Sequence, residues 1–241
     1  MKRTLVIGDI HGGLRAIHQI FEKANVTPDD TLIFLGDYVD GWSESPQVLD
    51  FLISLNRSHE CMFIRGNHDD LLLEWLRGKE NALWHQHGGL ATVHAYETVS
   101  DHDKQSHIAF LESLHTYFID DNNRLFVHAG FTNLNGVQNE FYPRLMFWDR
   151  SLWETAVAMD KSISRDDLRY PKRLLQYSEI FIGHTPVTKL GKSIPLLMGN
   201  VWNIDTGAAF RGPLSIMDVD TKEYWQSDPL PEIYLGERGR N

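Results

Sequence analysis

Five short polar clusters recur in a fixed order along this chain: Gly8-Asp9-Ile10-His11-Gly12, Gly36-Asp37-Tyr38-Val39-Asp40, Gly66-Asn67-His68-Asp69, His128-Ala129-Gly130 and Gly183-His184-Thr185. Brought together, they supply carboxylates, an amide and imidazoles, the last from several distant points of the chain. That is a donor set for hard or borderline divalent cations rather than a packing core. Any one cluster is ordinary turn chemistry, since Gly-Asp after a strand is common and a lone histidine is usually just hydrogen-bonded. Five of them in one order are not explained that way, and they point to a metal site.

The elements that must position these clusters are legible beside them. Each cluster follows a short apolar run: Thr4 to Ile7, Thr31 to Leu35, Cys61 to Ile64, Leu125 to Val127 and Ile180 to Ile182. Branched and aromatic residues over so few positions read as buried strands. In a mostly parallel sheet the strand ends lie along one edge, where residues distant in sequence meet. Between the runs, Leu14, Ile17, Phe21 and Ala24 have helical spacing, and Ser45-Pro46 reads as N-cap and first residue of a helix to Leu55. The first third therefore reads as strand, helix, strand, helix, strand. Leu71, Leu72, Trp75 and Leu76 predict a further helix after His68, Asp121-Asn122-Asn123 a hairpin turn, and Val201 to Ile204, Leu214 to Met217 and Glu223 to Trp225 late strands.

Composition sets the limits. The 241 residues suffice for one domain with a full core, and with no internal repeat or low-complexity linker a single domain over 1–241 is expected. No apolar run approaches the ~18 residues of a membrane span, and Met1-Lys2-Arg3 leads straight into a strand. A cytoplasmic protein with no membrane partner is expected. A formal charge of −10 argues against a nucleic-acid surface, which needs a basic stripe. Part of that charge is the gathered carboxylates, whose repulsion bound cations would relieve. Cys61, the one cysteine, reads as a small core residue. Six histidines, His85, His87, His94, His102, His107 and His115, fall between Asp69 and Thr116 without regular spacing, and exposed positions explain them most simply.

The ordered clusters resemble the signature of the phosphoprotein phosphatase branch of the calcineurin-like metallophosphoesterases: G-D-x-H-G, G-D-x-x-D-R-G, G-N-H-E, then H-G-G or H-A-G, then a late G-H. The resemblance spans Gly8 to His184 and is nearest to bacterial serine/threonine protein phosphatases and symmetrical diadenosine tetraphosphate hydrolases. Two positions depart from it: Asp69 stands for Glu, and Gly41 for Arg. It implies a mixed α/β fold of two sheets packed as a sandwich and flanked by helices, in αββα layers, with a helical cap over about residues 69–116. It also implies two divalent cations, Mn²⁺ first and Fe, Zn, Ni or Co as alternatives. Asp9, His11 and Asp37 would hold one; Asp37, as a bridging ligand, Asn67, His128 and His184 would hold the other.

Such a pair lowers the pKa of a shared water and clamps phosphate oxygens for in-line attack. The resemblance makes His68 the acid that protonates the leaving group, with Asp40 orienting its ring. Arg150, and after it Arg65, are the candidates to replace the arginine missing at Gly41. Hydrolysis of phosphomonoesters is thus expected, with phosphoserine and phosphothreonine proteins the leading substrates and dinucleoside polyphosphates the alternative. A catalytically dead binding module is the reading from another class, and the intact donor set counts against it. The run Trp84-His85-Gln86-His87-Gly88-Gly89 resembles a segment of the bacterial phosphatases near the substrate mouth, while Trp148 and Trp153 are candidates to stack a nucleobase, with core or interface packing the commoner role for such aromatics.

Overall fold

The computed structural model describes residues 2–240. Strands β1 (Thr4–Ile7), β2 (Thr31–Phe34) and β3 (Glu60–Phe63) run parallel, linked by helices α1 (Leu14–Lys23) and α2 (Ser45–Leu55). Helices α3 (Asn67–Leu76), α4 (Ala82–Trp84), α5 (Leu90–Tyr96) and α6 (Asp101–Ser113) follow. Next come β4 (Tyr117–Ile119), β5 (Arg124–Val127), α7 (Ser151–Ala158), α8 (Lys172–Leu175) and β6 (Glu179–Ile182). The chain ends with β7 (Leu196–Met198), β8 (Val201–Asn203), β9 (Ser215–Asp218), β10 (Tyr224–Gln226) and α9 (Leu230–Ile233). The strands form two five-stranded sheets, in the orders β10-β9-β1-β2-β3 and β4-β5-β6-β8-β7.

The two-residue period of the strands sorts their side chains into three cores. Leu5, Ile7, Leu32 and Phe34 pack outward with Ile17, Ile20, Leu49 and Leu52 of the first two helices. Val6, Ile33 and Met217 point the other way, against Phe126 and Phe181 of the second sheet, whose rings stack 4.9 Å apart. Leu125, Val127, Ile180 and Ile182 face Leu152, Trp153 and Leu174. This is the expected mixed α/β sandwich with helices on both faces. At about 1.5–3 kcal/mol for each fully buried aliphatic or aromatic side chain, the core between the sheets holds two strand edges together despite the carboxylates gathered there. Because β1, β2 and β3, and likewise β5, β6 and β8, are parallel, their C-terminal ends open on the same rim.

Two local expectations are corrected. Ser45 is the first residue of α2 and not its cap, which is Glu44. Its hydroxyl accepts from Asp40 N at 3.0 Å, so it serves the loop that carries the second cluster. His107 is fully buried rather than exposed, with Nδ1 2.8 Å from Tyr96 Oη and Nε2 3.0 Å from Asp50 Oδ1. Those bonds satisfy both ring nitrogens, which is what lets a polar ring sit in the helical layer. Among the described residues no helix is long and apolar enough to cross a membrane.

Candidate metal centre and active site

Each polar cluster turns the chain sharply at a strand end. His11, Asp37, Asp40 and His184 all have positive φ, at 53°, 54°, 75° and 67°. Asp and His tolerate this left-handed region better than most residues, but four at one site are backbone strain concentrated where side chains must be aimed. The third cluster is drawn tight against the second. A Cβ on Gly66 would lie 2.2 Å from Asp37 N and Oδ1, so only glycine permits this approach. Asp69 fastens the junction, its carboxylate accepting from Asp37 N, Tyr38 N and Gly66 N at 2.8 Å each. A shorter aspartate in place of the expected glutamate therefore still ties the two loops together. Its burial and the neighbouring Asp37 push its carboxyl up to about 7, against the pull of those amides.

Asp9, His11, Asp37, Asn67, His128 and His184 converge, all buried. Asp37 Oδ2 lies 3.5 Å from His11 Nε2 and 3.4 Å from His128 Nε2, so this carboxylate stands between the two histidines. One donor atom each of His11, Asp37 and His68 lies within 4.8 Å of the others, and the same holds for Asp37, His128 and His184. Asn67 Oδ1 is 2.8 Å from His184 Nδ1 and 3.2 Å from His128 Nε2. Asp9 Oδ2 is 3.9 Å from His11 Nε2 and accepts from His184 N at 3.0 Å.

The arrangement fits divalent cations. His11 Nδ1 lies 3.1 Å from Val39 O and His128 Nδ1 2.8 Å from Leu35 O, and a proton held there leaves each Nε2 with its lone pair toward the centre. His184 Nε2 is buried with no hydrogen-bond partner among the described residues. An orphaned imidazole nitrogen beside carboxylates is what a metal ligand looks like without its ion.

The electrostatics agree. Burial, then the charge of Asp205, drives the Asp9 carboxyl well above the usual carboxylate range. Burial likewise drives His11 and His184 well below the usual imidazole range. Burial opposes charge on His128 as well, but Asp37 and Asp9 prevail and lift it to about 10. Asp37 is in turn held well below the usual range by His128, His68 and His11 in spite of its burial. A proton on His128 thus supplies the positive charge that a dication would supply.

His68 stands beside this centre, its ring 5.0 Å from that of His11. Its Nδ1 is 2.5 Å from Asp40 Oδ2, which leaves Nε2 for the opening. Asp40 has no exposed surface. It also accepts from Trp84 Nε1 at 2.5 Å and from Thr92 Oγ1 at 2.6 Å, so the carboxylate is satisfied and fixed. A cavity of about 290 Å³ opens here, lined by Asn67 and His68, by Trp84, Leu83 and His87, and by Trp148, Arg150 and Arg240.

Residues 2–204 match the family model described as calcineurin-like phosphoesterase. The chain belongs to that family. It is 29% identical to the asymmetrical bis(5'-nucleosyl)-tetraphosphatase PrpE of Anoxybacillus flavithermus, over 98% of this chain and 97% of that one. Its fold is similar to the crystal structure of a provisionally assigned diadenosine tetraphosphatase, with a TM-score of 0.66 and 16% identity over 93% of this chain and 92% of that one. It is also similar to the cold-active protein-tyrosine phosphatase of a psychrophilic Shewanella, with a TM-score of 0.61 and 13% identity over 95% and 81%. As a calcineurin-like phosphoesterase the chain is a phosphoester hydrolase of a metal-dependent class.

The two arginines expected at the phosphate position diverge in this family member. Arg150 lines the cavity, but Arg65 does not. The Arg65 guanidinium donates to Leu111 O at 2.9 Å and lies 3.6 Å from Asp70 Oδ1, tying α3 to α6. Sequence reasoning missed the roles of four residues. Asp205, 4% exposed, joins the acidic centre, its carboxyl pushed up to about 6 chiefly by burial. Its signal was present, because Asp205-Thr206-Gly207 is a sixth polar cluster after an apolar run. Thr92 and Trp84, which hold Asp40, carry no local signal of that role, and neither does Arg240.

Proposed function

We propose that this calcineurin-like phosphoesterase hydrolyses dinucleoside polyphosphates by attack of water on a phosphorus of the bridging chain. Two divalent cations, Mn²⁺ foremost, would be held by Asp9, His11, Asp37, Asn67, His128 and His184, with Asp37 shared. Such a pair supplies Lewis acidity toward phosphate oxygens and a lowered pKa for water. The observation that carries the substrate class is the cavity: Arg150, Arg240 and the exposed face of Trp148 stand around one opening beside His68. Two guanidinium groups suit more than one phosphate, and an exposed indole suits a base. Similarity at 29% identity to an asymmetrical tetraphosphatase, along 98% of the chain, supports the same reading.

The protein's own groups complete the reaction. Asp40 accepts the His68 Nδ1 proton and fixes the ring, so that Nε2 delivers a proton to the departing oxygen. A nucleotide phosphate departs as a fairly stable anion and needs this help only in part. A seryl alkoxide needs it fully. The care with which Asp40 is held by Trp84 and Thr92 therefore favours a second reading, in which phosphoserine or phosphothreonine proteins are the substrates.

One experiment separates the two. Mn²⁺-loaded protein is assayed on diadenosine tetraphosphate and on a phosphoserine peptide, with nucleotides resolved by ion exchange. ATP plus AMP, at a kcat/KM above that for the peptide, is the expected result; a higher kcat/KM on the peptide would establish the second reading instead. His68→Ala should lower kcat about 10²–10⁴-fold on the peptide and much less on the dinucleotide, the range for losing a general acid. Equal losses on both would reject His68 as the acid.

A further inference from the structure

Arg240 has no place in any of the five clusters, yet its side chain enters the site. The segment after α9 is fastened to the body of the protein. Arg240 N donates to Ala209 O at 2.8 Å, Trp42 Nε1 donates to Ala208 O at 2.7 Å, and the Trp42 ring stacks on Tyr234 at 5.2 Å. From this anchor the arginine stem threads a slot between two glycines. A Cβ on Gly41 would lie 3.2 Å from Arg240 Cγ, and one on Gly88 would lie 2.8 Å from Cγ and 3.3 Å from Cδ. The two glycines face each other, Gly41 N donating to Gly88 O at 3.2 Å, and their φ angles of 96° and 105° suit no larger residue. The missing side chain at Gly41 is thus the space that the Arg240 stem fills.

The head group emerges into the cavity shared with Asn67, His68 and Arg150. Its Nε is buried with no hydrogen-bond partner among the described residues, and no described carboxylate forms an ion pair with it. The ring of Phe210 lies 5.3 Å from the guanidinium carbon. His11 and Asp205 both feel its positive charge. By contrast Arg3 is closed off by Asp30 and Arg124 by Asp120 and Asp220, while Arg65, whose Nε is also unpartnered, has its head group tied to Leu111 O and Asp70 and lies outside the cavity. A guanidinium positioned by a glycine slot, with an unpaired buried donor and a place in the cavity beside Asn67 and His68, is built for an anion.

We propose that Arg240 binds the phosphoryl group under attack, donating through its fork to two phosphate oxygens and taking the position that Gly41 leaves without a side chain. This rests on reading the site as a phosphoesterase centre, and it deepens that reading by assigning the phosphate contact to a residue outside the clusters. Arg150, exposed in the same cavity, is left for the rest of the polyphosphate chain.

The test is binding of inorganic phosphate to Mn²⁺-loaded protein by calorimetry, with metal content measured alongside and turnover of p-nitrophenyl phosphate measured separately. Arg240→Ala should weaken phosphate at least about tenfold, as expected for a lost charge-assisted contact, with metal content and Tm unchanged. Arg240→Lys should recover part of the affinity, since a point charge replaces a fork. Added methylguanidinium should recover part of it in Arg240→Ala, which a merely structural role would not allow. Equal phosphate affinity in wild type and Arg240→Ala, or no phosphate binding by the wild type, would overturn the assignment. Phosphate binding that depends on Arg240 in a protein with no turnover on any phosphoester would uphold it while refuting the enzymatic reading.

Discussion

The two ends of the parallel strands treat charge in opposite ways. At the N-terminal ends carboxylates are paired with cations of the chain itself. Arg3, just before β1, grips Asp30, just before β2, through two hydrogen bonds of 2.9 and 2.7 Å. Lys2 meets Glu60 at the start of β3, Arg124 meets Asp120 and Asp220 at the start of β5, and Lys222 meets Glu179 at the start of β6. At the C-terminal ends Asp9, Asp37, Asp69 and Asp205 are buried with imidazoles and amides, and among the described residues no arginine or lysine forms an ion pair with any of them. The same residue type answers oppositely. The Arg3 hydrogen bonds hold Asp30 down to about 2, while burial pushes Asp205 up to about 6. One rim is closed by the chain itself; the other leaves the cation to be supplied from outside.

The largest way to break this contrast is to remove the carboxylate that both donor groups share. Asp37→Ala should lose essentially all turnover and bind Mn²⁺ at least about 100-fold more weakly, beyond the range seen for changes to groups that only orient ligands. In the wild type, Mn²⁺ at about 100 times its Kd should add about 2.7 kcal/mol and raise Tm by roughly 5–10 °C, and Asp37→Ala should lose most of that rise. Elemental analysis and thermal denaturation with and without Mn²⁺ decide it. A fully loaded, active Asp37→Ala protein would end the shared-ligand assignment.

A smaller effect is expected where the open rim is braced rather than liganded. Trp84→Phe and Thr92→Val each remove one donor to Asp40 while keeping most of the packing volume. Either should lower kcat about tenfold on substrates with poor leaving groups, with metal content unchanged, since the change loosens the His68 ring. Unchanged kcat on the phosphoserine peptide would mean that Asp40 needs no bracing.

The smallest effect belongs to the closed rim. Asp30→Asn should leave kcat and metal content untouched and cost about 1–2 kcal/mol, or roughly 2–8 °C in Tm, since it weakens the Arg3 hydrogen bonds to a buried carboxylate. Because Arg3 holds the folded-state carboxyl down to about 2, below its ordinary 3.8, the pair's contribution is full above pH ~4. It fades as pH falls toward 2, so wild type and Asp30→Asn should converge in stability in acid. Denaturation at pH 7 and pH 2.5 measures it.

The strands and their terminal clusters were readable because both signals are local. A branched run such as Leu5-Val6-Ile7 specifies a buried strand, and Gly-Asp or Gly-Asn after it specifies a turn, whatever lies elsewhere. Fixed order then sufficed to expect that the five clusters meet, and the family resemblance singled out Asp9, His11, Asp37, Asn67, His128 and His184 among them. What a polar side chain does once buried was not local. Ser45 reads as a cap, but in the folded chain Asp40 N is the donor it serves. His107 reads as exposed, but Tyr96 and Asp50 satisfy it in the interior. Arg65 precedes the third cluster directly, and the carbonyl of Leu111 on α6 turns it away from the cavity.

The sequence by itself determined the donor types, their order and the strands that carry them, since period and turn chemistry act over a few residues. Only the tertiary structure decided which charges would be neutralised by the protein and which left for a ligand. That choice depends on contacts between residues tens to hundreds of positions apart, and Arg240 reaching the gap at Gly41 is among the longest of them.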